Sequence, residues 1–345
     1  MDSSSIIPTL VYMQQQLTRY ACSVWLIFGI PGCLLNVILL SRRQMRGTSC
    51  CNYFLGASTI MIISLSLGCG SLLYTLNNPD PATTIRAFCK LRMYILQSTF
   101  MMSRWMITIA CVDRYASSSS NAGRRRFAHV RIARRVVIII ICIWLLLPLH
   151  TLIFYEIRPG GGVCGIIYNR AAALYHSSYT IITGGVFPLT IMLTCILLIR
   201  RNLTVKRNLL EKSKTECSSF QHIVTNVRIQ RTRDQQALAM LLTQVTVYCF
   251  VQTPQFSYTL YAAIASNVTN KSPERLAIER FAFFLAELCV YLFPVTAFYL
   301  YILVSRSFRA ELAGILGVSR MVCWRGWTIR IKPMSSVMNT GQVPK

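Results

Sequence analysis

The chain has 345 residues, of which 54% are hydrophobic and 14% charged, against about 25% charged in soluble domains. So few charges cannot cover a soluble surface, which excludes a soluble globular domain. The net charge of +25 sorts by loop rather than forming one patch, which argues against nucleic acid, and the 14 cysteines include no CxxC pair of the kind that holds zinc.

Seven apolar stretches follow one another, each long enough to cross a bilayer core of about 30 Å as a helix. Residues 1–19 are nearly uncharged and lack the basic start of a cleavable signal peptide. They are read as an extracellular N-terminus. The first helix spans Tyr20 to Leu40 and carries Asn36, an amide that needs a partner between helices. The second spans Cys51 to Leu76 and the third Cys89 to Tyr115. The fourth, Ile132 to Phe154, contains Trp144 and Pro148. The fifth, Ala171 to Ile199, contains Pro188. A basic, polar segment from Arg200 to Arg233 precedes the sixth helix, Asp234 to Ile264, which contains Pro254. The seventh runs from Ala277 to Val304.

A short amphipathic helix follows in residues 305–316, with Phe308, Leu312, Ile315 and Leu316 on one side to lie on lipid. Residues 317–345 form a basic cytoplasmic tail. The predicted fold is therefore an all-α membrane protein, a seven-transmembrane helix bundle (residues 20–304) with an amphipathic eighth helix. The loops after helices one, three and five, with the tail, hold 26 of the 36 Lys and Arg. By the positive-inside rule that face is cytoplasmic and the N-terminus is outside, which requires an odd number of spans.

Cys89 lies 25 positions before Arg114, and Asp113-Arg114-Tyr115 closes the third helix. This spacing, inside seven apolar stretches, resembles the third helix of rhodopsin-like G-protein-coupled receptors. Asn36-Val37, Asn52-Tyr53-Phe54-Leu55, Trp144 with Pro148, Pro188 and Phe308-Arg309 are similar to the family's residues in the other helices. The resemblance implies a plasma-membrane receptor that passes an extracellular signal to a cytoplasmic heterotrimeric G protein. It implies a disulfide between Cys89 and Cys164. It also implies a resting pair between Arg114 and an acidic residue at the start of helix six, which here is Asp234, 20 residues before Pro254. Asp113 is a second partner for the same guanidinium. Tyr248, Pro254 and Tyr301 fall where the family has its remaining switch residues.

The sequence departs from the family at several places. Ile62 stands where an aspartate anchors a sodium site, Gln252 where a tryptophan toggles, and Ala297 and Phe298 where Asn-Pro precedes Tyr301; Pro294 lies a turn earlier. Leu96 occupies the place of the aspartate that binds amines, which disfavours an amine ligand. A peptide is the first ligand class and a lipid the second. Arg104 and Glu287 are charges within the membrane, where each costs at least about 2.5 kcal/mol and faces the bundle interior. Both are expected there, with a direct contact between them as one arrangement and Glu287 lining the ligand cavity. Leu96, Gln252 and Glu287 are the ligand-binding candidates. Asn267 and Asn270 head glycosylation sequons on an outer loop, and Cys323 is read as either a palmitoylation site or a plain tail cysteine.

No catalytic set is visible. His129, His150, His176 and His222 fall in separate segments without metal spacing, and no glycine-rich phosphate loop appears. The reading is therefore a receptor without enzyme activity, metal or cofactor. Its partners are a ligand, a G protein and membrane lipid, with no nucleic acid. Two rivals remain: a seven-helix scaffold that has lost G-protein coupling, which the departures favour, and a small transporter, which would show repeated halves.

Overall fold

The computed structural model describes residues 6–119, 121–158, 164–166, 169–213, 221–265 and 271–315, leaving aside the side chains of 44, 206–213, 221–235, 237 and 307. It is a seven-helix bundle followed by a short eighth helix. The helices are α1 (Ile6–Leu40), α2 (Ser49–Tyr74), α3 (Arg86–Ser118), α4 (Val130–Phe154), α5 (Arg170–Val205, continuing to Ser213), α6 (Gln221–Ala265), α7 (Pro273–Val304) and α8 (Arg306–Ile315). Among the described residues, α1 to α5 and α7 are long and apolar enough to cross a membrane. Ile139, Leu146, Ile153, Leu197, Phe250 and Leu303 point outward, as a bilayer rather than water requires. The most buried span is α3 and the least buried is α4.

Helices α3, α4 and α7 begin or end two to four residues beyond the sequence reading, and three others extend further. Helix α1 starts at Ile6 rather than Tyr20, because Pro8 lies in the first turn, where it is tolerated, and Met13 to Leu17 are good helix formers. A π-helical turn over Thr18–Cys22 joins it to the apolar part. Helix α5 runs on to Ser213 and α6 starts at Gln221. By polarity the basic segment between them reads as a loop, but Arg200 to Ser213 contains no Pro or Gly to stop a helix. Elsewhere the ends follow local chemistry. Asn169 and Ser272 cap α5 and α7 by accepting the amides of Ala172 and Arg275, at 3.2 Å each, and Pro273 holds the first position of α7. At the end of α7, Arg309 Nη1 donates to the Ile302 and Leu303 carbonyls, both at 2.8 Å, satisfying acceptors that the helix leaves free.

Phe308 of α8 is fully buried against Tyr301 and Phe298, with ring centroids 5.7 and 6.0 Å away. Leu312 and Ile315 pack on the same core, while Leu316 lies outside the described residues. Asn36 departs from expectation. Its side chain is fully buried, yet its amide meets no hydrogen-bond partner among the described residues. The residue at the family's aspartate place, Ile62, offers no acceptor. An unsatisfied buried amide costs about 1–3 kcal/mol. Asn36→Leu is therefore expected to hold or raise the melting temperature of the purified protein. A drop of several degrees would show that the amide is bonded.

Candidate functional site

Four levels of the bundle carry polar chemistry. At one end, Cys89 at the start of α3 is joined by a disulfide to Cys164. Cys164 belongs to a small antiparallel hairpin, β1 (Glu156–Ile157) with β2 (Cys164–Gly165). Glu156 of β1 accepts from Arg86 Nη2 at 2.6 Å and faces Lys90 Nζ at 3.4 Å, both on α3. The hairpin is thus fixed to α3 covalently and by charge. The Arg86 hydrogen bond holds the Glu156 carboxyl below its ordinary value. This contact is present above the ordinary carboxylate range and is lost as pH falls through the depressed value. Removing a native disulfide typically costs about 2–5 kcal/mol. Cys164→Ser should therefore lower the melting temperature by several degrees, and an unchanged melting curve would contradict a structural role for the bridge.

Below the hairpin, Glu287 of α7 lies 3.8 Å from Arg92 Nη2 of α3 and accepts from Tyr291 at 3.2 Å. Of the arrangements left open for Glu287 and Arg104, direct contact is not the one formed: Glu287 meets Arg92 and Arg104 meets Gln252. Arg92 is nearer because it stands three turns closer to the disulfide end of α3, level with Glu287. Leu96, one turn further along, is buried.

At mid-depth, α3, α5 and α6 meet around a π-helical turn of α5, Ile182–Val186. Such a turn breaks the regular ladder and frees carbonyls. The Thr183 carbonyl accepts from Trp105 Nε1 of α3 at 2.9 Å, and the Gly184 carbonyl from the Tyr248 hydroxyl of α6 at 2.6 Å. The glycines let the helices close up. A Cβ on Gly184 would lie 2.7 Å from both Arg104 Nη1 and Met101 Cε, and one on Gly185 would lie 3.1 Å from the Phe256 ring. Arg104 is 5% exposed and donates from Nη2 to Gln252 Oε1 at 2.8 Å. Tyr248 packs edge-on to Phe293 of α7, at 5.7 Å. The place of the family's tryptophan is thus held by an amide bonded to arginine. Pro254, two residues on, faces outward from α6.

At the other end, Asp113 is fully buried and Arg114 is 5% exposed. Asp113 Oδ2 accepts from Arg114 Nη2 at 2.9 Å, from Arg114 Nε at 3.2 Å and from Ser49 Oγ at 2.7 Å. Arg114 Nη2 also reaches Ser49 Oγ at 3.0 Å. The motif arginine is therefore clasped by its own neighbour and by the first turn of α2. Asp234, expected as its partner, lies outside the described residues. Tyr115 accepts from Arg124 Nη1 at 2.8 Å, and Asn202 of α5 donates to Ser118 at 3.0 Å. Tyr301 is buried, with its ring 5.3 Å from Phe54 of α2.

Sequence reasoning missed Ser49, Arg92, Trp105 and the Gly184 turn. A serine at a helix start carries no signal of a partner 64 residues away, although the adjacent glycines of α5 do mark a close approach. Two of the histidines meet in space although they lie in separate segments. His150 and His176 come together, Nε2 to Nδ1 at 3.0 Å, with the Tyr155 hydroxyl 3.3 Å from His176. Among the described residues no group of three or more His, Cys, Asp or Glu is placed to hold a metal. Asn267, Asn270 and Cys323 lie outside the described residues.

A seven-helix bundle with a disulfide at one end of its third helix and a clasped Asp-Arg-Tyr at the other defines a class of membrane receptor. The model of the 7 transmembrane receptor (rhodopsin family) matches residues 32–296, and the chain belongs to that family. Members are signalling receptors, not enzymes, so the transporter reading falls. No curated protein matches the chain.

Proposed function

We propose that the chain is a plasma-membrane receptor that couples an extracellular ligand to a heterotrimeric G protein. The observation that carries this reading is the buried Asp113–Arg114–Ser49 clasp at the end of α3. A guanidinium held in a poorly hydrated crevice is a two-state element. Its release changes local charge and packing by enough to bias a conformational equilibrium. In this reading the Cys89–Cys164 end faces outside and the Arg114 end faces the cytoplasm, as the distribution of Lys and Arg requires. Release of Arg114 lets α6 swing outward about Pro254 and opens the cleft that receives the G protein. Asp234 is proposed as a further hold on Arg114 in the resting state, and Tyr115, Tyr248 and Tyr301 as residues that move with it. Helix α8 is proposed to run along the inner membrane surface; its residues Phe308, Leu312 and Ile315, expected to face lipid, instead pack on the bundle core and tie the helix to α7.

A peptide ligand is supported by the charged rim at the disulfide end. Arg86, Lys90 and Glu156 stand on one side of it, and Lys271, Arg275 and Glu279 on the other. Leu96 leaves no carboxylate for an amine at its level. Glu287, held by Arg92 and Tyr291, remains the proposed contact for a basic group that displaces Arg92.

The test is basal activation of a panel of G-protein subtypes in cells, comparing wild type with Arg114→Ala at matched surface expression. The reading predicts activation of at least one subtype that the variant lacks. If Asp234→Ala and Asp113→Asn are as silent as wild type on every subtype, the chain is a scaffold that does not couple.

A further inference from the structure

Arg104 presents a charge without a counter-charge. It lies ten residues from Arg114, about 15 Å along α3, well inside the membrane-spanning part of the bundle. It is 5% exposed. A guanidinium has five N–H donors and no acceptor. Here one of its nitrogens donates to the neutral Gln252 oxygen, at 2.8 Å, and its Nε has no hydrogen-bond partner. Phe256 offers only a ring face, 5.4 Å from the guanidinium carbon. The Gly184 carbonyl beside it is already taken by Tyr248. Among the described residues no carboxylate lies within ion-pair distance of Arg104, and Glu287 is held by Arg92. Buried charges are otherwise paired or neutralised, because an isolated ion in a low-dielectric interior is costly.

We propose that Arg104 and Gln252 form a binding site for one monovalent anionic group, a carboxylate or a halide ion, at mid-depth between α3, α5 and α6. The chemistry of the pair suits both states. With the site empty, the Gln252 amide accepts from Arg104. With an anion present, Arg104 donates to the anion from Nε and one Nη, and Gln252 turns its own N–H₂ towards it, since an amide carries acceptor and donors on one plane. Charge-assisted bonds of this kind are about twice as strong as neutral ones. Gly184 and Gly185 bring the α5 backbone against Arg104, Met101 and Phe256, so an anion enters by turning the Gln252 amide and the flexible Met101 side chain aside. Gln252 lies two residues from Pro254, so filling the site acts on the helix that the receptor reading requires to move. The proposal rests on that reading for its use in signalling, but binding itself needs no G protein.

The experiment is thermal melting of the full-length protein in phosphatidylcholine nanodiscs, with doubly charged sulfate, which is not a monovalent anion, as the reference. One arm titrates chloride. A second adds decanoate, decanol or decyltrimethylammonium in sulfate. Wild type should gain several degrees with chloride if the site takes a free ion, or with decanoate alone of the three amphiphiles if it takes a ligand carboxylate. Arg104→Met should lose the shift and Arg104→Lys keep part of it. Gln252→Glu supplies an internal carboxylate, so it should melt higher than wild type in sulfate and no longer respond to either anion. A wild type that neither chloride nor decanoate shifts overturns the proposal, as does an equal shift in Arg104→Met or an equal effect of decanol. Nucleotide exchange on a G protein is scored separately. Anion-dependent melting without exchange would sink the receptor reading and keep the site, whereas exchange without anion dependence would do the reverse.

Discussion

Asp113→Asn is expected to raise basal G-protein activation by about tenfold or more at equal surface expression. Asp113 is fully buried and accepts two hydrogen bonds from Arg114 and one from Ser49. The substitution keeps the shape and removes the charge, leaving a guanidinium in a dry crevice beside a neutral amide. Breaking one partner of a buried ion pair costs about 3–5 kcal/mol. That cost falls on the clasped state and is relieved when Arg114 swings into water or against a partner protein. If about 1.4 kcal/mol of it appears as bias between the two states, the active population rises tenfold. Ser49→Ala removes the neutral hydroxyl from the same clasp. It should act in the same direction with a smaller effect, of about 1 kcal/mol. An Asp113→Asn receptor with wild-type basal activity, under conditions where an agonist or another variant does activate, would show that the clasp does not hold the resting state.

The second large effect is on stability. Gly68→Ala should lower the melting temperature, although alanine is the better helix former by about 1 kcal/mol. Gly68 of α2 faces Tyr291 of α7, and a Cβ there would overlap the ring and its hydroxyl. Tyr291 cannot step aside cheaply. It is fully buried, its ring lies 6.3 Å from Trp25 and 5.6 Å from Phe100, and its hydroxyl donates to Glu287. Overpacking of this kind costs about 1–3 kcal/mol and occasionally more. Gly70 is the internal control. It lies on the same helix with nothing within 4 Å of its missing Cβ, so Gly70→Ala should leave the melting temperature unchanged or raise it. Tyr291→Phe, by removing the hydroxyl, should recover part of the loss in Gly68→Ala. Equal melting of the two alanine variants would contradict the packing described for α2 against α7.

Sequence patterning carried the architecture further than it carried the site. Seven apolar stretches and the spacing from Cys89 to Arg114 led to the bundle and the family because hydropathy is a property of each segment alone. Helix ends were legible where a cap or a proline marks them, as at Ser272-Pro273. They were missed at Ser213 and Gln221 because polar residues that form good helices look like loops to a hydropathy argument, and at Ile6 because Gln14 to Gln16 and Arg19 interrupt the apolar run. Apart from the Cys89–Cys164 bridge, which the family resemblance implied, side-chain pairing was legible only within one helix. Asp113 beside Arg114 is a local fact, and it holds. Gln252 lies 148 residues from Arg104, and which faces of α3 and α6 meet depends on helix rotation and on the α5 π-turn, which no periodicity announces. The same limit explains Glu287. Its depth was readable from the sequence, but not that Arg92 stands level with it. Asn36 illustrates the converse, since the rule that a membrane amide finds a partner fails where Ile62 supplies none.

The central claim is that Arg114, once freed, engages a G protein. Its most direct test is nucleotide exchange on purified heterotrimers by the receptor reconstituted in nanodiscs, comparing wild type, Asp113→Asn and Asp113→Asn/Arg114→Ala. The account predicts exchange on at least one heterotrimer that is faster for Asp113→Asn than for wild type and falls to the receptor-free rate in the double variant. Exchange at the receptor-free rate for all three proteins on every heterotrimer, with each protein folded by its melting curve, would contradict it.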